Sequence, residues 1–209
     1  NQVDKSVAEI HERELETLAK LAKAGEFRDK TTGNHLMRMA KYSALIGAHL
    51  GLGAETVHVL EVAAPMHDIG KVGIADKILL KPGRLEPEEF EIMKRHATIG
   101  YELLQGSSSR VLQAGAEIAR GHHEKFDGSG YPQGLKGEDI PIFSRIVAVA
   151  DVFDALTSER PYKKAWDVEA AVDFLKAGSG SHFDPACVTA FLNAWSDVQE
   201  VRARYSEEA

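Results

Sequence analysis

Cysteine is nearly missing from this chain: Cys187 is the only one in 209 residues. No disulfide framework can form within it and no cysteine-based zinc site can be built, which fits a reducing cytosol. Basic residues are also short in number, with 25 Lys and Arg against 32 Asp and Glu, for a net charge of -7. No overall positive field exists to attract phosphate polymers, so neither a nucleic-acid polymer nor an acidic membrane surface is an expected partner. Local basic residues can still bind a small anion. No apolar run is long enough to cross a bilayer and no secretory leader is seen, so the expectation is a cytoplasmic protein without membrane insertion. The first residue is Asn1 rather than Met, as in a piece of a longer chain. Sustained period-two alternation, internal repeats and an obvious linker are all missing, which leaves a single all-α fold.

Helical spacing is plain in what remains. Val7, Ile10, Leu15, Leu18 and Leu21 lie among charges between Val3 and Ala24, a helix with a polar back that either packs on the domain or connects to an upstream module. A helix is expected from Asn34 to Leu50, ended by Gly51-Leu52-Gly53, and another from Glu55 to His67, stopping near Gly70. Ile74 to Arg84 reads as loop with short helical turns. Pro87-Glu88-Glu89 opens the next helix, its acids facing the positive end of the dipole. Further helices are expected over Ile99–Leu104, Ser109–His122, Ile142–Thr157, Val168–Ala177 and Pro185–Val201, with a glycine-rich irregular stretch from Gly128 to Asp139.

Ligand-type residues lie on or beside five of these helices, at or near a helix end or a glycine turn. They are His35, the pair His67-Asp68, His96, the pair His122-His123, and Asp151. Histidine with aspartate and no cysteine is the donor set of a catalytic di-metal site rather than of a closed structural zinc site. An aspartate can bridge two cations while a neutral imidazole nitrogen binds one, so Asp68 is the natural bridge. Side chains of adjacent helical residues diverge by about 100°, so His122 and His123 are expected to serve two neighbouring ions rather than one small site. Lys71, four residues after His67, should reach the same side and bind a phosphate oxygen. Asp29 could accept from a ligand histidine and fix its tautomer.

His67-Asp68-Ile69-Gly70-Lys71 resembles the core motif of the HD-superfamily phosphohydrolases. His122-His123-Glu124, followed by Asp127-Gly128-Ser129-Gly130-Tyr131-Pro132, resembles the HD-GYP family of cyclic-dinucleotide phosphodiesterases. Arg28-Asp29, Gly33-Asn34-His35, Leu79-Leu80-Lys81-Pro82-Gly83, His96, the run Asp151 to Thr157 and Arg160-Pro161-Tyr162-Lys163 extend the likeness from Gly25 to Phe191. The resemblance implies an HD-domain-like bundle of about seven to nine helices over residues 25–209, behind a connector helix at residues 1–24. It implies His35, His67, Asp68, His96, His122, His123 and Asp151 as metal ligands, with Asp68 and Lys71 catalytic. Some members carry a glutamate four residues before the first ligand histidine to help hold a third metal; Thr31 stands there, so two divalent ions are expected, iron or manganese.

By resemblance the reaction is hydrolysis of cyclic di-GMP to pGpG, and onward to GMP, through a metal-bridging hydroxide. Substrate contacts are expected from Lys71, Gly128, Tyr131, Pro132, Arg160 and Lys163. Glycine lets a backbone approach closely, and Arg binds phosphate in bidentate fashion or stacks on guanine. The family also implies an upstream receiver or sensory domain, diguanylate cyclase (GGDEF) partners at the Gly-Tyr-Pro turn, and a homodimer through the N-terminal helix. Two other readings stand beside this one: a phosphodiesterase for mixed cyclic GMP-AMP, and a catalytically silent module that senses the dinucleotide or docks a partner. His11, His49 and His58 lie on plain amphipathic helices and carry no ligand role. His182 precedes a helix entry capped by Asp184. Lys94-Arg95 reads as a solvated face, Trp166, Trp195, Phe183 and Phe191 as packing aromatics, and Cys187 as a packed thiol.

Overall fold

The computed structural model describes Arg13 and residues 16–23, 33–159 and 164–206. Among the described residues nine α-helices run between Gly33 and Arg204: α1 (Gly33–His49), α2 (Ala54–Ala63), α3 (Asp76–Leu79), α4 (Pro87–Leu104), α5 (Arg110–Gly121), α6 (Ile142–Thr157), α7 (Val168–Ala177), α8 (Pro185–Asn193) and α9 (Trp195–Arg204). Residues 16–23 are helical as well, and no strand forms among the described residues. The fold is the all-α bundle expected.

The long apolar helix α6 forms the centre, with Ile146, Val147, Val149, Ala150 and Phe153 all buried. Tyr42 of α1 and Phe191 of α8 meet the Phe153 ring edge-on or tilted, at centroid distances of 5.6 and 4.8 Å. Leu18 and Ala22, four apart on the N-terminal helix, are buried in the same core while Leu21 is exposed. The described part of this helix, residues 16–23, thus packs on the domain. Cys187 is buried in this core, where burial pushes its thiol pKa up, as a packed thiol should be.

Local sequence explains most boundaries. Helix α1 ends in a Schellman turn: Gly51 has φ +81°, its N–H donates to Ala48 O, and Leu52 N–H donates to Gly47 O. Pro87 opens α4 while the Glu89 carboxylate accepts from Glu86 N–H. Asp184 caps α8 by accepting from Ala186 N–H.

Three expectations are corrected. Helix α2 stops at Ala63 and continues as 3-10 turns, Ala64–Met66 and Ile69–Gly73, so His67-Asp68 sits between two tight turns rather than at the end of one α-helix. Helix α4 is one 18-residue helix, without a break before Ile99. Gly100 is no breaker: a Cβ there would lie 2.9 Å from Ala119 Cβ and 3.3 Å from Gly70 N, so its bareness allows close packing. The last helix is divided at buried Ala194, where Trp195 turns its indole toward Phe191 and Phe153.

Candidate metal centre

Five short segments bring the site together: the start of α1 (His35), the kink between the two 3-10 turns (His67, Asp68), the middle of α4 (His96), the end of α5 (His122, His123) and the middle of α6 (Asp151). Asp68 has φ -103° and ψ 10°, the sparsely populated bridge region, as the chain passes from one turn to the next. All seven expected ligands converge. They form two groups, Asp68–His96–His122–His123 and His35–His67–Asp151, within each of which one donor atom per residue lies within 4.8 Å of every other.

Asp68 stands at the seam. Its Oδ1 is 3.3 Å from His96 Nε2 and 3.7 Å from His122 Nε2. Its Oδ2 is 3.3 Å from His67 Nε2, and His67 Nε2 is in turn 3.8 Å from Asp151 Oδ1 in the other group. One carboxylate therefore faces both groups, the geometry a bridging ligand needs.

His122 and His123 do not divide between the groups as expected. His122 is the C-cap of α5, and Glu124 N–H bonds back to Gly121 O, so the chain turns before the helical divergence develops. The two imidazoles lie 4.0 Å apart between centroids and belong to one group. Lys71 also arrives differently. It sits on a 3-10 turn, where residues three apart eclipse, so its Nζ lies 2.8 Å from Asp68 Oδ2 instead of aligning with His67 at a spacing of four.

The histidines are set up as neutral donors. Nδ1 of His67 lies 3.0 Å from Ala64 O, that of His96 2.7 Å from Met93 O, and that of His122 3.0 Å from Ile118 O. Each carbonyl draws the ring proton to Nδ1 and leaves Nε2 with a lone pair directed at the cluster. Burial lowers the His96 pKa to about 4, and burial with the neighbouring His122 and His96 holds His123 well below the ordinary histidine range. Burial alone would raise the Asp68 carboxyl, but Lys71 and then His67 hold it well below the usual carboxylate range.

The fit to a cation rests on polar atoms that satisfy nothing else. Asp68 Oδ1, His96 Nε2 and His122 Nε2 are buried without a hydrogen-bond partner among the described residues, a cost of about 1–3 kcal/mol each unless a ligand takes them up. Carboxylate and imidazole are ordinary donors to iron, manganese, zinc or nickel. The histidine pKa values give a pH prediction for metal-free protein. Where the unfolded chain binds protons that His96 refuses, stability falls as pH falls, from about 6.5, the ordinary histidine value, to about 4. Thermal melts in chelator should show a lower Tm at pH 5 than at pH 7; a flat profile would contradict neutral buried imidazoles.

Asp154 escaped the sequence reading. Its Oδ2 lies 2.6 Å from His35 Nδ1, while Arg38 Nε donates to Oδ1 at 2.5 Å and Arg38 Nη2 donates to Oδ2 at 3.0 Å. Arg38 also donates to Ser158 Oγ and to Tyr205 O, tying the end of α9 to the ligand end of α1. Burial would raise Asp154, yet bonds from His35 and Arg38 keep its pKa lowered. The available signal was spacing: Asp154 follows Asp151 by three, as Arg38 follows His35. Asp154→Leu should destabilise the fold by about 3–5 kcal/mol in urea unfolding, because it strands the buried Arg38; a change below 1 kcal/mol would count against that pairing. Asp29, the expected tautomer-fixing residue, and Thr31 lie outside the described residues, as do Arg160 and Lys163.

The Gly-Tyr-Pro turn is anchored by Glu124. Buried to 2% exposure, its carboxylate accepts from Gln133 N–H at 2.7 Å and Leu135 N–H at 3.0 Å. A Cβ on Gly130 would fall 2.3 Å from Lys125 N, and Gly128 has φ +89°. Tyr131 brings the turn onto the cluster, stacked on His123 with centroids 4.8 Å apart; Pro132 is exposed and Gly128 packs toward Lys136. His182 lies stacked on Phe183, and its carbonyl accepts from Phe126 N–H, a structural role. Arg95 is exposed as expected, while Lys94 is partly covered, its ammonium 5.6 Å from the centroids of both Phe90 and Tyr131. Trp166 is 39% exposed and meets Phe174 edge-on at the surface.

A family profile described as HD domain matches residues 7–187. The chain belongs to the HD domain family. The cyclic di-GMP phosphodiesterase response regulator RpfG of Xanthomonas campestris pv. campestris is 53% identical to this HD domain chain over 201 residues, 96% of the chain and 53% of that protein. The 3'3'-cGAMP-specific phosphodiesterase 2 of Vibrio cholerae is 43% identical over 197 residues, 94% of the chain and 38% of that protein. A crystal structure of a cyclic GMP-AMP-specific phosphodiesterase of Vibrio cholerae superposes with a TM-score of 0.68 at 23% identity, covering 92% of the chain and 51% of that one. The chain thus spans about half or less of these relatives, and the distant structural likeness supports the HD domain fold alone.

Proposed function

We propose that this chain is the catalytic part of a phosphodiesterase that uses two divalent metal ions, iron or manganese, to hydrolyse cyclic di-GMP to pGpG. The observation that carries this reading is the Asp68 carboxylate facing both donor groups, with Lys71 Nζ 2.8 Å from one of its oxygens. The name of the Xanthomonas relative, at 53% identity over 96% of the chain, supports the substrate. Its name as a response regulator supports an upstream receiver domain, and the reading divides this chain into a connector at residues 1–24 and a catalytic unit at residues 25–209. No helix among the described residues is long and apolar enough to cross a membrane.

His35, His67 and Asp151 would hold one ion and His96, His122 and His123 the other, with Asp68 between them. Such a pair supplies a lowered water pKa and neutralises charge building on phosphorus. The protein's own residues do the rest. Carbonyls of Ala64, Met93 and Ile118 and the Asp154 carboxylate keep ring protons away from the site. Lys71 neutralises Asp68 and lies where its ammonium can meet a phosphate oxygen as charge develops. Arg160 and Lys163 are retained as contacts to the dinucleotide, with Asp29 as a supporting acceptor, and the exposed Pro132 as the edge of the entrance.

Protein purified without chelator and without oxygen should contain two ions per chain and convert cyclic di-GMP to pGpG. Faster hydrolysis of mixed cyclic GMP-AMP by the same preparation would move the substrate to the second reading, which the 43% identity to the Vibrio enzyme favours. Two ions with no turnover of either ring would identify a silent sensing or docking module.

A further inference from the structure

His123 is held in place differently from the other four histidines of the cluster. Nδ1 of His35, His67, His96 and His122 each lies within hydrogen-bond distance of an oxygen. The His123 ring makes no hydrogen bond to any described residue. Its contacts are rings: His122 at 4.0 Å, His96 edge-on at 5.0 Å, and Tyr131 stacked at 4.8 Å with 26° between planes. Rotation about the last imidazole torsion is soft, so without an anchored N–H only packing can select the ring's orientation.

Tyr131 is itself secured from two sides. Its N–H donates to His123 O at 3.2 Å, joining the two residues along the backbone as well as through the rings. The Phe90 ring meets the tyrosine edge-on at 6.1 Å, and the Lys94 ammonium sits 5.6 Å from both centroids while pairing with Glu91 at 2.6 Å. Phe90 and Lys94 are four apart on α4, the helix that delivers His96, so one helix supplies both a ligand-type histidine and the brace behind another. The Tyr131 hydroxyl makes no hydrogen bond to any described residue. The ring is the part in use.

We infer that Tyr131 is a positioning residue for His123: its ring, braced by Phe90 and Lys94, fixes the imidazole in the orientation that lets it join Asp68, His96 and His122. This rests on reading that group as a metal site. The Gly-Tyr-Pro turn then governs how firmly one of the two ions is held, independently of any contact with the dinucleotide.

Metal-free protein spanning residues 1–209 titrated with Mn2+ by calorimetry tests this, with Tyr131→Phe beside Tyr131→Leu. The Phe variant should bind two ions as the unaltered protein does. The Leu variant should weaken one binding step by about 10–100-fold and leave the other unchanged. A metal-independent readout runs in parallel: ring-proton NMR of metal-free protein should show His123 resonances displaced by a ring current that Phe keeps and Leu loses. Unaltered Mn2+ binding by the Leu variant, or an equal loss with Phe, would overturn the inference. An absent ring-current shift in the unaltered protein would overturn the stacking itself. If that shift is present but the unaltered protein binds no Mn2+, the metal reading falls and the positioning role falls with it.

Discussion

Asp68→Asn is expected to leave the purified chain with less than one ion and to cut phosphodiester turnover by about 10²- to 10³-fold or more. The substitution preserves shape and removes the one carboxylate placed between the two donor groups. Oδ1 faces His96 and His122 while Oδ2 faces His67 and Lys71, so no neighbouring acid can replace both contacts. Asp151, the other acid of the site, belongs to the His35–His67 group alone. Breaking a buried charged arrangement by removing one partner typically costs about 3–5 kcal/mol, which spans roughly two to more than three powers of ten in rate or affinity. Elemental analysis and timed hydrolysis on the same preparation should fall together. Full metal content with lost turnover would leave Asp68 a catalytic but not a bridging role; retained turnover would remove it from the mechanism.

Gly70→Ala should be the most damaging change of a single methyl group. A Cβ at Gly70 would stand 1.9 Å from His96 O and 2.4 Å from Gly100 N, both backbone atoms of α4. Neither can swing aside as a side chain would, so the 3-10 turn carrying Asp68 must separate from the helix carrying His96. The 3.3 Å approach of His96 Nε2 to Asp68 Oδ1 would go with it. Overpacking ordinarily costs about 1–3 kcal/mol and more when the obstruction is rigid, so a loss of at least about 3 kcal/mol in urea unfolding is expected, with metal content reduced. Gly73→Ala is the matched control, because the atoms nearest its Cβ would be side-chain carbons of Ile99, 2.9 Å away and beyond. Equal stability of the two variants would contradict this account of Gly70.

The same glycines show where the sequence was legible and where it was not. Residue type picked out all seven side chains that converge, with His35 and His96 resting mainly on the family resemblance, since neither the start of α1 nor the middle of α4 marks a ligand locally. Helices α6 and α7 begin and end where apolar periodicity places them. The continuity of α4 through Gly100 could not be read locally, since glycine looks the same whether it ends a helix or admits a neighbour. Only the approach of Gly70 and Ala119 distinguishes the two. Asp154 and Arg38 were missed for a related reason: their meaning lies in a pairing between α1 and α6, 116 residues apart. The spacing of Lys71 was misjudged because a 3-10 turn replaced the expected α-helix, moving its partner from His67 to Asp68.

Glu124 secures the Gly-Tyr-Pro turn entirely through the main-chain N–H groups of residues 133 and 135. Every amino acid except proline offers that group, so the anchor is indifferent to which side chains stand there. Gln133 is exposed and can drift without loosening the turn, while Glu124, Gly128 and Gly130 cannot. A chain built this way separates what must be inherited unchanged from what selection can vary, and gives the rim of the cluster room to diversify while its frame stays fixed.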